Sequence, residues 1–486
     1  MADIFVRLAE GFGEALTVAN LIFAFCGVLI GTLVGVLPGI GPFTAIALLI
    51  PLSFGLDPVS GLILLPGIYY GSMYGGSTTS ILIRTPGEVA SVVTTLDGYE
   101  MAMQGRAGPA LSTAAIGSFV AGTFSTLGLM LLALVMVSNL TTGSHLKVLI
   151  ATLFGLSVAM VGIDPQTSVQ RFAFGVPYLS DGIDFALMAI ALLALPEAFT
   201  NMAARGTSHL DAQRIQGSIW MTREDWRRSA GPYWRGSILG FLIGVLPGIG
   251  PSLASFLSYG LEKRLSKQPE QFGRGAIEGV AGPETANNAG VGGAMVPLFT
   301  LGIPGSATTA LLLFVFMMYG LQPGPQLFDT NPELIWAIIA SMYIGNVMLL
   351  VLNLPLVGLF AQLLKTPPAM LYSGVIAFSV LGAYALNFSV FDMLMLFGFG
   401  LVGYLMQRYD FPMAPAVLAL VLGILAEQHL RRALSVSNGD LMTFVERPIS
   451  LALLIFIVLV LVLPPAIRFL RARHRGAVQD EPGGQR

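Results

Sequence analysis

Long apolar runs recur from one end of this chain to the other, separated by short polar connections. A helix needs roughly 20 apolar residues to cross the hydrocarbon core of a bilayer. Runs of that order begin near Val18, Gly61, Leu111, Leu146, Phe185, Ile238, Gly292, Ile335, Met370, Phe391, Ala414 and Leu451. Several are interrupted by glycine or proline, so the pattern predicts about ten to twelve crossings. The expected fold class is an all-α polytopic membrane protein with broken or re-entrant helices. The first run lies too deep and is too rich in glycine for a simple cleaved signal peptide, so membrane insertion is expected from the first helix.

The pattern also repeats. "GVLIGTLVGVLPGIGP" at Gly27–Pro42 returns as "GSILGFLIGVLPGIGP" at Gly236–Pro251, with eleven of sixteen positions identical. "SFGLD" at Ser53–Asp57 is answered by "SYGLE" at Ser258–Glu262, Gly75-Gly76 by Gly292-Gly293, and Pro86-Gly87 by Pro304-Gly305. Four landmarks in the same order predict two repeats. The expected organisation is a first repeat over 1–202, a basic cytoplasmic loop over 203–235, a second repeat over 236–410, added C-terminal helices over 411–467 and a basic cytoplasmic tail over 468–486. Internal duplication is a habit of secondary transporters, whose substrate sites lie where the repeats meet.

Two signals are fused in the repeated stretch. Gly27, Gly31, Gly35 and Gly39, like Gly236, Gly240, Gly244 and Gly248, are spaced by four and fall on one helix face. A face without side chains lets another helix approach closely, and close packing is its simplest use. "PGIGP" then stops the helix, because proline and glycine both oppose its continuation. Inside a bilayer such a break is tolerated only when buried in protein or lining a watery cavity. It exposes carbonyls that can hold a cation and N–H groups that attract anions. A loop at the membrane surface is the plainer alternative.

Two polar clusters sit beside the later landmarks. "YGSMYGGSTTSILIRTPGE" at Tyr70–Glu88 carries Ser72, Ser77, Thr78, Thr79 and Ser80. Such hydroxyls bind carboxylate oxygens or cations, or bond back to helix carbonyls. Glu278–Ala310 carries Glu278, Glu284, Asn287 and Asn288, then Ser306, Thr308 and Thr309. An ionisable group at membrane depth points to function, whereas in an interfacial loop the same residues serve as caps. "VGIDPQTSVQRFAFG" at Val161–Gly175 offers Asp164, Thr167 and Arg171 and reads first as a connector, with Arg171 able to attract an anion.

Composition narrows the classes. Only 11% of the 486 residues are charged and 55% are apolar, against about 25% charged in soluble domains; mean hydropathy is +0.77. The net charge of -2 indicates no partner, but its distribution sets orientation. Arg205, Arg214, Arg223, Arg227, Arg228 and Arg235 crowd the central connection, and Arg468, Arg471, Arg473 and Arg475 follow the last run, which places both inside. Before Val18 there is only Arg7 against Asp3, Glu10 and Glu14, so the chain is expected to start outside and the repeats to be inverted. One cysteine, Cys26, excludes an internal disulfide. His145, His209, His429 and His474 form no ligand set, and neither GxxxxGK[ST] nor HExxH occurs, which argues against an ATPase or a zinc enzyme.

The two "GVLPGIGP" copies, "YGGSTTSILIRTPGE", "LDGYEMAMQGRAGPAL" and "GPETANNA" leading to "GAMVPLFTLGIPGS" closely resemble the large membrane subunit (TctA family) of tripartite tricarboxylate transporters. "GIDPQTSVQRFAFG", "LSDGIDF" and "LPEAF" fit the same pattern, with Ser168 a small departure where the family more often has a Thr-Gly pair. The likeness runs to about residue 430. It implies a bacterial inner-membrane importer of organic acids, not an enzyme. It further implies a periplasmic solute-binding protein and a small four-helix membrane subunit as partners. Coupling would be to an ion gradient, sodium first and protons as the alternative, with no other cofactor. Citrate is the family's namesake substrate; dicarboxylates and aromatic acids stay open. A channel or a non-transporting membrane scaffold is the alternative reading.

With that implication in hand, the expected site joins the two breaks. Backbone N–H groups of Gly39, Ile40 and Gly41 and of Gly248, Ile249 and Gly250, with Ser77, Thr78, Thr79, Ser80, Thr308 and Thr309, would hold carboxylate oxygens. Carbonyls near Pro38, Pro247 and Gly302, with Asn287 and Asn288, would hold the cation. An elevator-like movement is expected by analogy with other binding-protein-dependent secondary transporters.

Overall fold

In the computed structural model, helices cover the apolar runs that begin between Val18 and Ala414, while the run expected from Leu451 and the basic tail over 468–486 lie outside the described residues, save residue 451. The structure describes residues 2–37, 41–53, 55–132, 145–164, 169–203, 218–246, 250–324, 326–363, 368–437, 440–446 and 451. The only strands among them are the two-residue pair Gly162–Ile163 and Gln170–Arg171. Among the described residues, four helices are long and apolar enough to cross a bilayer by length and composition: Val18–Val36, Ala107–Met130, Pro332–Asn353 and Val390–Arg408. The chain is an all-α, multi-pass membrane protein. It divides into a large unit, Met1–Val421, and a short one, Leu422–Arg486. In the short unit the described residues form helix through Val436 and one helical turn at Thr443–Glu446.

Two helix pairs organise the large unit. The first ladder helix, Val18–Val36, packs along the first inner helix, Pro58–Ile83. The second ladder helix, Arg223–Gly244, packs along the second inner helix, Glu278–Leu301. The glycine spacing explains both contacts. A methyl group added at Gly31 or Gly35 would lie under 3.0 Å from backbone atoms of Ile68 or Ser72, and one at Gly240 or Gly244 under 3.0 Å from those of Ala286 or Gly290. The backbones touch, so any side chain there would push the helices apart.

Both ladder helices end at the repeated motif. The first stops at Val36, Leu37 is extended, and a new helix starts at Pro42. The second stops at Gly244, and a new helix starts at Gly250, which takes a left-handed φ of 68°. Each inner helix also ends alike, with Arg84 or Gly302 in the left-handed region and the next element capped by a reciprocal box. In the first, the Glu88 side chain takes the Ala90 N–H at 2.6 Å while Ser91 answers its backbone. In the second, Ser306 accepts the Thr309 N–H at 3.2 Å and Thr309 accepts the Ser306 N–H at 2.8 Å. Glu88 and Ser306 each directly follow a Pro-Gly landmark.

Two boundaries differ from the sequence expectation. The connection expected to run to Arg235 is helical from Arg223, because Thr222 and Asp225 form a capping box at its start. Arg228 and Arg235 then project from a helix and pair bidentately with Glu278 and Glu262. Burial and the Thr222 hydroxyl act on the Asp225 carboxyl in opposite directions; with the Arg106 guanidinium added, it is held below its ordinary value. The second difference is that the run expected to begin near Gly292 is helical from Glu278, so the polar stretch "GPETANNA" is buried helix. Its polar side chains each find at least one partner, on neighbouring elements or within the helix, while the Oδ1 atoms of Asn287 and Asn288 have none.

Candidate functional site

Three helix starts meet around one cavity of about 610 Å³. The first is Pro42–Ser53, directly after the first break, which lines the cavity with Gly41, Pro42, Phe43 and Thr44. The second is Gly250–Leu265, after the second break, lining it with Gly250, Pro251 and Ser252. The third is Ala307–Met318, lining it with Ser306, Ala307 and Thr308. First-turn N–H groups have no partner inside their own helix. Each helix start carries roughly half a positive charge, so three together offer on the order of +1.5. The volume is within the range of about 300–1,000 Å³ common for small-molecule sites.

Against that positive field stands one carboxylate. Glu88 is the ionisable carboxyl side chain among the described residues of the wall. It is 9% exposed, and Asn287 on the second inner helix donates to its Oε1 at 3.2 Å. Tyr69 of the first inner helix reaches across to Ser306, hydroxyl to hydroxyl at 3.3 Å. The wall is therefore built by residues from both halves of the chain. Its chemistry suits an organic anion: helix starts for carboxylate oxygens, hydroxyls of Ser252, Ser306 and Thr308 for further hydrogen bonds, and Phe43 and Met73 for an apolar body.

The site residues expected from sequence divide into groups. Gly41, Gly250 and Thr308 stand in the cavity wall. Pro38, Gly39, Ile40, Pro247, Gly248 and Ile249 lie outside the described residues. The hydroxyl cluster is on the first inner helix and is buried throughout. Ser77 donates to Glu284 Oε2 at 2.5 Å. Thr79 donates to the Val36 carbonyl at 2.6 Å, which closes the last turn of the broken ladder helix. Ser80 donates to the Ser91 carbonyl at 3.0 Å, and Thr78 is buried beside them. Thr309 serves the cap at Ser306. Asn288 donates to Ser118 at 2.7 Å. Gly302 ends the second inner helix with a left-handed φ of 67°.

Glu88, Tyr69 and Thr94 were absent from the expected site. Glu88 carried a legible signal, since it follows the Pro86-Gly87 landmark at the position matching Ser306. Tyr69 and Thr94 carried none; they matter only through partners that lie 237 and 190 residues away. Asp164 and Arg171 are 3.8 Å apart across the short hairpin, away from the cavity wall. No group of three His, Cys, Asp or Glu suited to a metal occurs among the described residues.

The chain is similar to two proteins from Agrobacterium vitis. It is 46% identical to an uncharacterised 52.8 kDa protein in the TAR-I ttuC' 3' region, covering 97% of this chain and 98% of that one. It is 47% identical to an uncharacterised protein in the TAR-II ttuC' 3' region, covering 48% of this chain and 97% of that one. No solved structure matches. The tripartite tricarboxylate transporter TctA family matches residues 21–139 and 126–418. With a cavity lined from both copies of the repeated motif inside an all-α membrane protein and a family match across most of its length, this chain belongs to the TctA family of tripartite tricarboxylate transporters.

Proposed function

We propose that this chain is the large translocating subunit of a bacterial inner-membrane uptake system for a carboxylate such as a tricarboxylate. The observation that carries the reading is the convergence of three helix starts on one cavity, two of them immediately after the repeated helix break. Helix N-termini that line a cavity stabilise carboxylate groups without a fixed cationic side chain. The two halves act as inverted repeats about that cavity. Substrate arrives from a periplasmic solute-binding protein, and a small four-helix membrane subunit completes the complex. An ion gradient, sodium first, drives accumulation, because an anion moving into a negatively charged cell requires a co-transported cation.

Reconstitution of the complex into vesicles tests this directly. Uptake of labelled citrate and other di- and tricarboxylates is measured with and without an inward sodium gradient and with and without the binding protein. Accumulation above the external concentration, dependent on both, is expected. Equilibration that ignores every ion gradient marks a channel and overturns secondary transport. Absence of any uptake with all three proteins present marks a scaffold.

A further inference from the structure

The cavity makes use of Glu88 but leaves Glu284 without a task. Glu284 lies on the second inner helix and is fully buried. Its two carboxylate oxygens accept from the Ser77 hydroxyl, at 2.5 Å, and from the Thr94 hydroxyl. Among the described residues no lysine, arginine or histidine pairs with it. Other buried or half-buried acids of this region have either a cation or a fuller set of donors. Glu262, Glu278 and Asp225 each hold an arginine: Arg235, Arg228 and Arg106. Buried Asp97 takes four backbone N–H groups and the Tyr259 hydroxyl, and Glu88 takes the Ala90 N–H and the Asn287 amide; Glu284 has two hydroxyls alone, a thin compensation for a buried carboxyl group.

A second, independent observation points to what fills that role. Residues three and four positions apart share a helix face, and the positions after Glu284 on this criterion are Asn287 and Asn288. Both are fully buried. Each has its amide nitrogen engaged, Asn287 on Glu88 and Asn288 on Ser118. Each has its Oδ1 buried with no hydrogen-bond partner. An amide oxygen left unpaired in the interior is destabilising, so it favours a ligand that can fill it. The face therefore gathers a carboxylate, two hydroxyls and two unsatisfied amide oxygens, and no cationic side chain among the described residues.

We infer that Glu284, with Ser77, Thr94, Asn287 and Asn288, forms the binding site of the alkali cation that drives transport. This rests on the proposed ion-coupled function and assigns that ion its residues. Oxygen-only ligands select hard cations. Glu284 itself supplies one formal negative charge, the match for a monovalent ion, and Glu88 stands one amide away. Ser77 has a second acceptor, the Met73 carbonyl at 3.4 Å, so its proton can turn there and free the oxygen for the ion. Ser77 and Thr94 come from the first half of the chain and the other three from the second, so the ion ties the halves together. Asn287 also touches Glu88 in the cavity wall, which links ion occupancy to the field an anion meets there.

The test uses the full-length purified chain. Thermal unfolding is followed across sodium concentrations, with lithium, potassium and choline as comparison ions, at two pH values. The wild-type chain is expected to gain stability saturably with sodium and not with choline. Glu284→Gln is expected to abolish that gain, and Ser77→Ala or Thr94→Ala to raise the half-saturating sodium concentration at least about tenfold. If Glu284→Gln does not fold, the two hydroxyl variants decide. A sodium response that persists unchanged in the variants, or a wild-type response to pH alone, overturns the assignment. Uptake in vesicles separates the two proposals. A sodium response in binding without gradient-driven uptake leaves the ion site standing and removes the transport reading. Gradient-driven uptake in which Glu284→Gln keeps wild-type sodium dependence removes the ion site alone.

Discussion

The two ladder-and-inner-helix pairs share a scaffold and differ in chemistry. In both, glycines spaced by four press one backbone onto another, and in both the ladder helix stops at the same five-residue motif. The inner helices then diverge. The first presents hydroxyls from Ser72 to Ser80, two of which close backbone carbonyls at Val36 and Ser91. The second presents Glu284, Asn287 and Asn288, and has Ala294, Met295 and Val296 where the first has Ser77, Thr78 and Thr79. The two pairs share the face that sets helix distance and differ in the face that sets polarity. Geometry tolerates little variation, because a single methyl group collides with facing backbone. Polar identity is free to diverge once the helices are in place.

The strongest way to break this comparison is to fill the glycine faces. Gly31→Leu and Gly240→Leu each force a side chain into facing backbone. Overpacking costs about 1–3 kcal/mol where neighbours can yield, and backbone yields less. Both variants are expected to lose most folded protein, read as monodisperse yield after extraction from the membrane. A tolerant Gly31 beside an intolerant Gly240 would show that the two faces are not doing the same work.

The next contrast sets Glu88 against Ser306, which follow matching landmarks and both cap a short element at the cavity. Ser306→Ala is expected to cost about 1 kcal/mol from the lost cap, with uptake reduced modestly. Glu88→Gln keeps the shape but removes the charge, and is expected to lower uptake more than tenfold, about 1.4 kcal/mol in the rate-determining barrier, with stability near wild type. Equal effects of the two on uptake would mean that both act only as caps.

Within the first inner helix, Thr79→Val removes the donor to the Val36 carbonyl and is expected to destabilise by about 1 kcal/mol, seen as a lower unfolding temperature. Thr78→Val should leave that temperature unchanged. Uptake lost in Thr78→Val alone would assign its hydroxyl to substrate and not to the scaffold.

The smallest effect lies at the polar end of the second ladder helix. Because the Asp225 carboxyl titrates below its ordinary value in the folded chain, its ionised form adds stability above the unfolded pKa of about 3.9. That contribution falls away as pH drops through the lower folded value. Arg106→Ala should therefore destabilise near neutral pH and converge with the wild-type chain below about pH 4, in unfolding measured across pH.

Much of the fold was legible beforehand. Apolar runs gave the helices, and glycine, proline and the repeated landmarks gave the packing face and the breaks. Capping chemistry was legible too, though it was overlooked at Thr222–Asp225, and so a helix start was placed inside a loop. The site was legible only in outline. Gly41, Gly250 and Thr308 stand in the cavity wall, whereas Ser77 and Thr79 proved to have partners of their own. A hydroxyl can turn to any acceptor within about 3 Å. Which acceptor is that close is settled by helices from opposite ends of the chain.

By itself, then, the amino-acid sequence determined where this chain can be helical, where it cannot, and which faces come within backbone contact, because those follow from periodicity and from the presence or absence of a side chain. Only the tertiary structure decided that Ser77 and Thr94 meet Glu284 across 207 and 190 residues, and that Asn287 meets Glu88 across 199. Hydrogen bonds have a reach of one contact, and nothing local in the sequence records which distant group will occupy it.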